Sequence, residues 1–214
     1  MEKIDLQIFR PFGPSILKVK IPKDILDKLN NYIDKIIIDN EKSKNLDYGK
    51  NLIGDVTQEF KLEQNFAKEV GWVNFLGNCT SNWVKMETNL KMKKFALLDS
   101  WVVRQFQHEY NPVHYHNGHV SGAGFLKLPK SFGDYIQKEE KKEKPYSGGT
   151  LNLIHGQRSF LCNSIFKIKP EVGDFYFFPH YLMHTVFPFK DSNEERRSIS
   201  FNANIDEEIY NVYG

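Results

Sequence analysis

The chain has 214 residues, 40% of them hydrophobic and 26% charged, which suits one domain with a real core and excludes a disordered or fibrous protein. A net charge of +2 with mixed signs offers no electrostatic attraction for nucleic acid or an anionic membrane, and neither is expected as a partner. No apolar run is long enough to span a bilayer.

The opening Met-Glu-Lys-Ile-Asp is too acidic for a secretory signal, so a cytoplasmic protein is expected. Cys79 and Cys162 cannot build a disulfide framework and have no metal-binding pair spacing. Ser15 to Ile21 reads as a short strand. Asp24 is placed to cap a helix in which Ile25, Leu26, Leu29, Tyr32, Ile33, Ile36 and Ile37 recur at the helical period. Asn40 to Lys50 is polar and reads as a loop, and Phe66 to Trp83 as partly helical around Gly71 and Gly77.

From Leu97 the pattern changes to short β-like runs separated by turn residues. They are Ser100 to Gln107, His119 to Leu128, Thr150 to His155, Ser164 to Ile168, Asp174 to Phe178, Thr185 to Phe189 and Arg197 to Ala203. Seven or eight short strands without intervening helices predict a mainly β, antiparallel jelly roll spanning 97–205, with residues 1–96 as a helical support in a single domain. Lys138 to Lys144 reads as a solvated charged insert.

All seven histidines lie between His108 and His184. In an extended segment His114 and His116 project to one face, so two imidazoles can grip one metal ion. After the aromatic run Gly173-Asp-Phe-Tyr-Phe-Phe-Pro179, either His180 or His184 could be a third ligand. His184 is favoured because it opens the next strand, and a ligand wants a rigid base. In Arg196-Arg-Ser-Ile-Ser-Phe-Asn202, strand alternation puts Arg196, Ser198, Ser200 and Asn202 on one face. An arginine heading a polar inner face suits a pocket for a carboxylate, which its planar fork binds through two hydrogen bonds. Arg197 takes that role if the register slips by one. Trp101, Arg104 and Tyr110 are candidate pocket residues.

The order of these pieces resembles the 2-oxoglutarate/Fe(II)-dependent oxygenase superfamily, with its His-x-Asp/Glu pair, distal His and Arg-x-Ser. It is similar above all to a group of bacterial and phage oxygenases. In these a Pro-x-His-x-His segment (here Val113-His-Tyr-His116) precedes Ser-Gly (Ser121-Gly122). A Gly-Gly-x-Leu strand follows (Gly148-Gly149-Thr150-Leu151), then the Gly-Asp-aromatic-Phe-Pro strand and an Arg-x-Ser-Ile-Ser-Phe-Asn ending. Phe9-Arg-Pro-Phe-Gly-Pro14 also fits that group.

The resemblance implies a double-stranded β-helix, one Fe(II) held by His114, His116 and His184, and 2-oxoglutarate as cosubstrate held by Arg196 and Ser198. It further implies dioxygen, hydroxylation of a small-molecule or peptide substrate with release of succinate and carbon dioxide, and the host cytoplasm if the chain is phage-encoded. The oligomeric state is not readable.

The superfamily's acidic ligand is absent, because His116 stands in its place. Alternatives therefore stay open: two histidines with a carboxylate from Glu109 or Asp174, or His119 replacing one of the pair. A three-histidine cupin-like enzyme that needs no keto acid, and a non-catalytic jelly-roll module, are the rival readings of the whole chain.

Overall fold

The computed structural model describes residues 6–9, 13–132, 148–190 and 192–212, so the charged run 138–144 lies outside the described residues. The strands in chain order are β1 (Leu6–Phe9), β2 (Ile16–Lys20), β3 (Gln58–Lys61), β4 (Phe95–Gln105), β5 (Asn111–His114), β6 (Val120–Lys127), β7 (Leu151–Ile154), β8 (Ile165–Ile168), β9 (Asp174–Pro179), β10 (Met183–Val186) and β11 (Arg196–Ile205). Five α-helices join them: α1 (Lys23–Ile38), α2 (Asn40–Asn45), α3 (Gln64–Glu69), α4 (Trp72–Thr88) and α5 (Glu207–Tyr210).

Two antiparallel sheets face each other. The larger has the order β1-β2-β9-β6-β11-β4-β3, and the smaller β5-β10-β7-β8. Strands β4 to β11 pass back and forth between the sheets in the jelly-roll manner, with β7 and β8 consecutive in the smaller one, so the chain is a double-stranded β-helix. The expected fold class is the observed one.

The first 96 residues are less purely helical than their sequence suggests. They add β1, β2 and β3 to the edges of the larger sheet. Helix α1 presents Ile25, Leu29, Ile33 and Ile36, all buried, to that sheet. Full burial of such a side chain contributes roughly 1.5–3 kcal/mol, which outweighs the lack of a helix cap. The cap expected from Asp24 is not made: Pro22 holds the N-cap position without a side-chain bond.

The segment read as a loop from Asn40 forms a short helix because the Asp39 carboxylate accepts from the Glu41 and Lys42 N–H groups. Gly71, at φ 83°, sits at the N-cap of α4 and lets the chain turn sharply into it.

There are two apolar cores. One lies between the helices and the larger sheet, where Trp72, Phe75, Phe175 and Phe201 meet. The other lies between the sheets and contains Phe125, Leu151, Leu153 and Phe178. Strand β6 passes close to its neighbours at Gly122 and Gly124. A Cβ on Gly124 would stand 2.7 Å from the Asp174 carbonyl oxygen. Among the described residues no helix is long and apolar enough to cross a membrane.

Candidate metal centre and cosubstrate cavity

His184 on β10 is the cross-strand partner of His114 on β5. Because paired residues share a face, both rings point between the sheets. His116, two residues further on, returns to the same side. The ligand nitrogens of His114, His116 and His184 lie within 4.8 Å of one another, the only such grouping of three or more among the described residues. His116 Nε2 and His184 Nε2 are 3.0 Å apart. That is the separation of two nitrogens bound at right angles to one ion at about 2.1 Å.

Two of the rings are oriented by the backbone. His114 Nδ1 donates to the Pro112 carbonyl at 2.7 Å and His184 Nδ1 to the Leu182 carbonyl at 2.9 Å, which leaves each Nε2 lone pair free for a metal. Burial lowers the pKa of all three. His184 falls to about 3, and His116 falls to about 2 as the neighbouring imidazoles add to burial. Neutral, convergent and mostly buried, the three nitrogens are suited to a divalent transition metal.

His119 and His180 stand elsewhere. His119 stacks on Tyr210 at 4.1 Å and its Nδ1 accepts from the Ile205 N–H. His180 Nδ1 bonds the His116 carbonyl at 2.9 Å, while its Nε2 accepts from the Tyr210 hydroxyl at 2.7 Å. His180 therefore supports His116 from behind.

The alternative carboxylates are also committed elsewhere. Glu109 accepts from Thr57 and from the Phe106 N–H, and Asp174 pairs with Lys18 at 2.9 Å and Lys20 at 2.5 Å.

The triad opens into a cavity of about 190 Å³. Arg196, Ser198 and Trp101 also line it, with the indole 5.4 Å from the His116 ring. Arg196 is 1% exposed. Its Nε donates to the Gly149 carbonyl at 3.1 Å, one Nη donates to Ser198 Oγ at 3.3 Å, and the guanidinium lies over the Phe125 ring. Among the described residues it has no acidic partner, and burial alone lowers its pKa to about 9. A buried cation without a counter-charge, at the wall of a cavity, is poised for an anion.

Arg197 has the opposite surroundings. It pairs with Glu195 at 2.7 Å and Asp34 at 2.7 Å on the helix side of the sheet. The register is thus the one that puts Arg196 in the cavity.

Two expected pocket residues are not there. Arg104 lies three positions from Trp101, an odd step on a strand, so it faces away from the cavity and pairs with Glu195 at 2.7 Å. Tyr110 is 41% exposed and bridges to Asp55 beyond a turn where His108 adopts φ 70°. Conversely, Asn51 and Asn111 line the cavity without a sequence signal for it, and Ser200 lines it beside Ser198. Ser200 was legible from its parity with Arg196, whereas nothing local to Asn51 points to the site.

A jelly roll whose inner face carries a histidine pair, a distal histidine and a buried arginine resembles the construction of the 2-oxoglutarate-dependent oxygenases, with His116 where their acidic ligand stands. Residues 99–202 match a family model described as "Putative 2OG-Fe(II) oxygenase". Over this stretch the chain is similar to Fe(II)- and 2-oxoglutarate-using oxidoreductases, enzymes that take a substrate and dioxygen.

Solved structures share the fold. A prolyl-4-hydroxylase of Pseudomonas putida is 12% identical, with TM-score 0.56 over 87% of this chain and 91% of that one. A viral collagen prolyl hydroxylase from Paramecium Bursaria Chlorella virus-1, in complex with 2-oxoglutarate, is 17% identical, with TM-score 0.53 over 88% and 94%. HygX from Streptomyces hygroscopicus, with nickel and 2-oxoglutarate bound, is 11% identical, with TM-score 0.53 over 87% and 80%. No curated protein sequence matches the chain.

Proposed function

We propose that this chain acts as a single-domain hydroxylase in which His114, His116 and His184 hold Fe(II), and Arg196 with Ser198 binds the distal carboxylate of 2-oxoglutarate. The observation that carries this is the Arg196 guanidinium, buried in the same cavity as the three imidazoles and without a counter-charge among the described residues. The bound iron and cosubstrate supply oxidative decarboxylation of 2-oxoglutarate to succinate and carbon dioxide, coupled to oxidation of a substrate C–H bond, usually to an alcohol.

The protein's own contribution is positional. Pro112 and Leu182 carbonyls fix two imidazoles as Nε2 donors. Gly149 and Ser198 fix the Arg196 fork, so that a carboxylate meets a donor that need not reorganise. Trp101 and Phe125 exclude water from the cavity walls. The substrate is a small molecule or a peptide side chain. A prolyl hydroxylase of this fold from Trichoplax adhaerens is in complex with a peptide fragment, which makes the peptidyl option concrete.

The test is an anaerobic titration of metal-free protein with Fe(II) and then 2-oxoglutarate, following the visible charge-transfer band of the chelate. A band saturating near one equivalent, and absent from His184→Ala and Arg196→Ala, is the expected result. Iron bound without a band would favour a three-histidine enzyme that needs no keto acid, and no iron bound would favour a non-catalytic module.

A further inference from the structure

Among the described residues the cavity wall contains no carboxylate. Arg196 is cationic and the three imidazoles are neutral. Asn51, Asn111 and Ser200 add only amides and a hydroxyl, none with a side-chain hydrogen bond among the described residues. Neighbouring acids have other duties: Glu195 serves Arg104 and Arg197, and Glu109 serves Thr57 and the Phe106 N–H.

Glu59 lies opposite Val103, a cavity residue, but does not itself line the cavity. Its Oε1 is buried without a hydrogen bond. Burial, followed by the charges of Asp47 and Glu109, raises its pKa to about 7, so near neutral pH it carries only part of a charge.

On the reading given above, on which this inference rests, a divalent metal and Arg196 bring three positive charges and the 2-oxoglutarate dianion brings two negative ones. With Asp or Glu in place of His116 the loaded site would be neutral. With His116 it keeps one positive charge in a low-dielectric cavity, where an uncompensated charge is far more costly than in water.

We propose that the substrate supplies the balancing charge: it is a carboxylate-bearing molecule whose anionic group enters the cavity beside the histidine triad, among the neutral donors Asn51, Asn111 and Ser200. Electrostatics then selects acids over their amides or alcohols. The carboxylate completes a site that the described residues leave one charge short. A free inorganic anion shares this chemistry, so the two sources must be separated experimentally.

Anaerobic protein loaded with Fe(II) and saturating 2-oxoglutarate would be titrated with sodium acetate, with acetamide and with sodium chloride. The readout is a shift of the chelate's visible band without its loss, since loss reports displacement of the cosubstrate. Acetate is expected to shift the band at concentrations at least about tenfold below acetamide and below chloride, and His116→Asp should erase that preference. Glu59→Gln should leave it unchanged.

Acetate and acetamide acting alike, or neither acting, in protein that forms the band would overturn the proposal. Chloride binding more tightly than acetate would overturn the carboxylate assignment. A failure to form the band at all strikes instead at the metal and cosubstrate reading, so the two failures are distinguishable. The comparison of acetate with acetamide is made on the unmutated protein, so it stands even if a variant does not fold.

Discussion

His116 and His180 are joined twice: the His116 N–H donates to the His180 carbonyl at 3.0 Å, and His180 Nδ1 donates to the His116 carbonyl at 2.9 Å. The segment carrying one proposed ligand is thereby bound to the turn that leads to another, with Tyr210 of α5 hydrogen-bonded to the far side of the His180 ring.

Removing that support should loosen the metal. His180→Ala is expected to weaken metal binding roughly 10- to 100-fold, the usual effect of losing a group that orients a ligand. His180→Asn, which keeps a short donor for the carbonyl, should recover part of the loss. Competition with a chromophoric chelator measures both, and unchanged affinity in His180→Ala would reduce His180 to a turn residue.

The adjacent arginines should fail in opposite ways. Arg196→Gln is expected to raise the KM for 2-oxoglutarate about 100-fold while leaving iron binding and the melting temperature of the metal-free protein unchanged or higher, because a buried uncompensated cation is gone. Arg197→Ala should cost about 3 kcal/mol of stability with little change in that KM, since it strips Glu195 of one of its two arginines and unties Asp34. Denaturation and steady-state kinetics on both variants decide it.

The metal-free protein should lose stability in mild acid. An unfolded histidine takes up a proton near pH 6.5, while His184 in the fold does so only near 3, so between those values the unfolded state binds the extra proton. Stability conferred by the neutral ring is complete above pH 6.5 and declines by about 1.4 kcal/mol per pH unit below it for each such group. Melting temperatures at pH 7.5, 6.5 and 5.5 should fall across the lower interval, and less steeply in His184→Gln. A flat profile would contradict the buried neutral triad.

Gly124→Ala should destabilise the fold by about 1–3 kcal/mol, because the new methyl group meets the Asp174 carbonyl and the Phe175 ring of β9. A thermal melt tests it; a wild-type value would mean that β6 and β9 can separate freely.

Seven of the eight jelly-roll strands, all but β5, were legible as short β-like runs bounded by turn residues. The triad was legible from two-residue spacing plus a histidine at the start of a strand. The same parity rule separates Trp101 from Arg104, and it assigns the latter to the helix-facing side where Glu195 waits. The short strand β3 was hidden because Gln-Glu-Phe-Lys is polar for an edge strand, and β5 because Pro112 interrupts it. Asn51 reaches the cavity only through tertiary packing of the loop before β3, which no local pattern encodes.

Strand β5 is the margin of the smaller sheet, with β10 as its sole strand neighbour there. It contributes His114, and His116 follows just beyond it, while the third imidazole stands on β10. An ion shared across that pair would fasten the hem of the fabric. Withdrawing it would let the hem lift and bare a ladder of unsatisfied amides to proteases and to neighbouring chains. Iron supply would then govern how long each molecule survives as well as whether it can turn over.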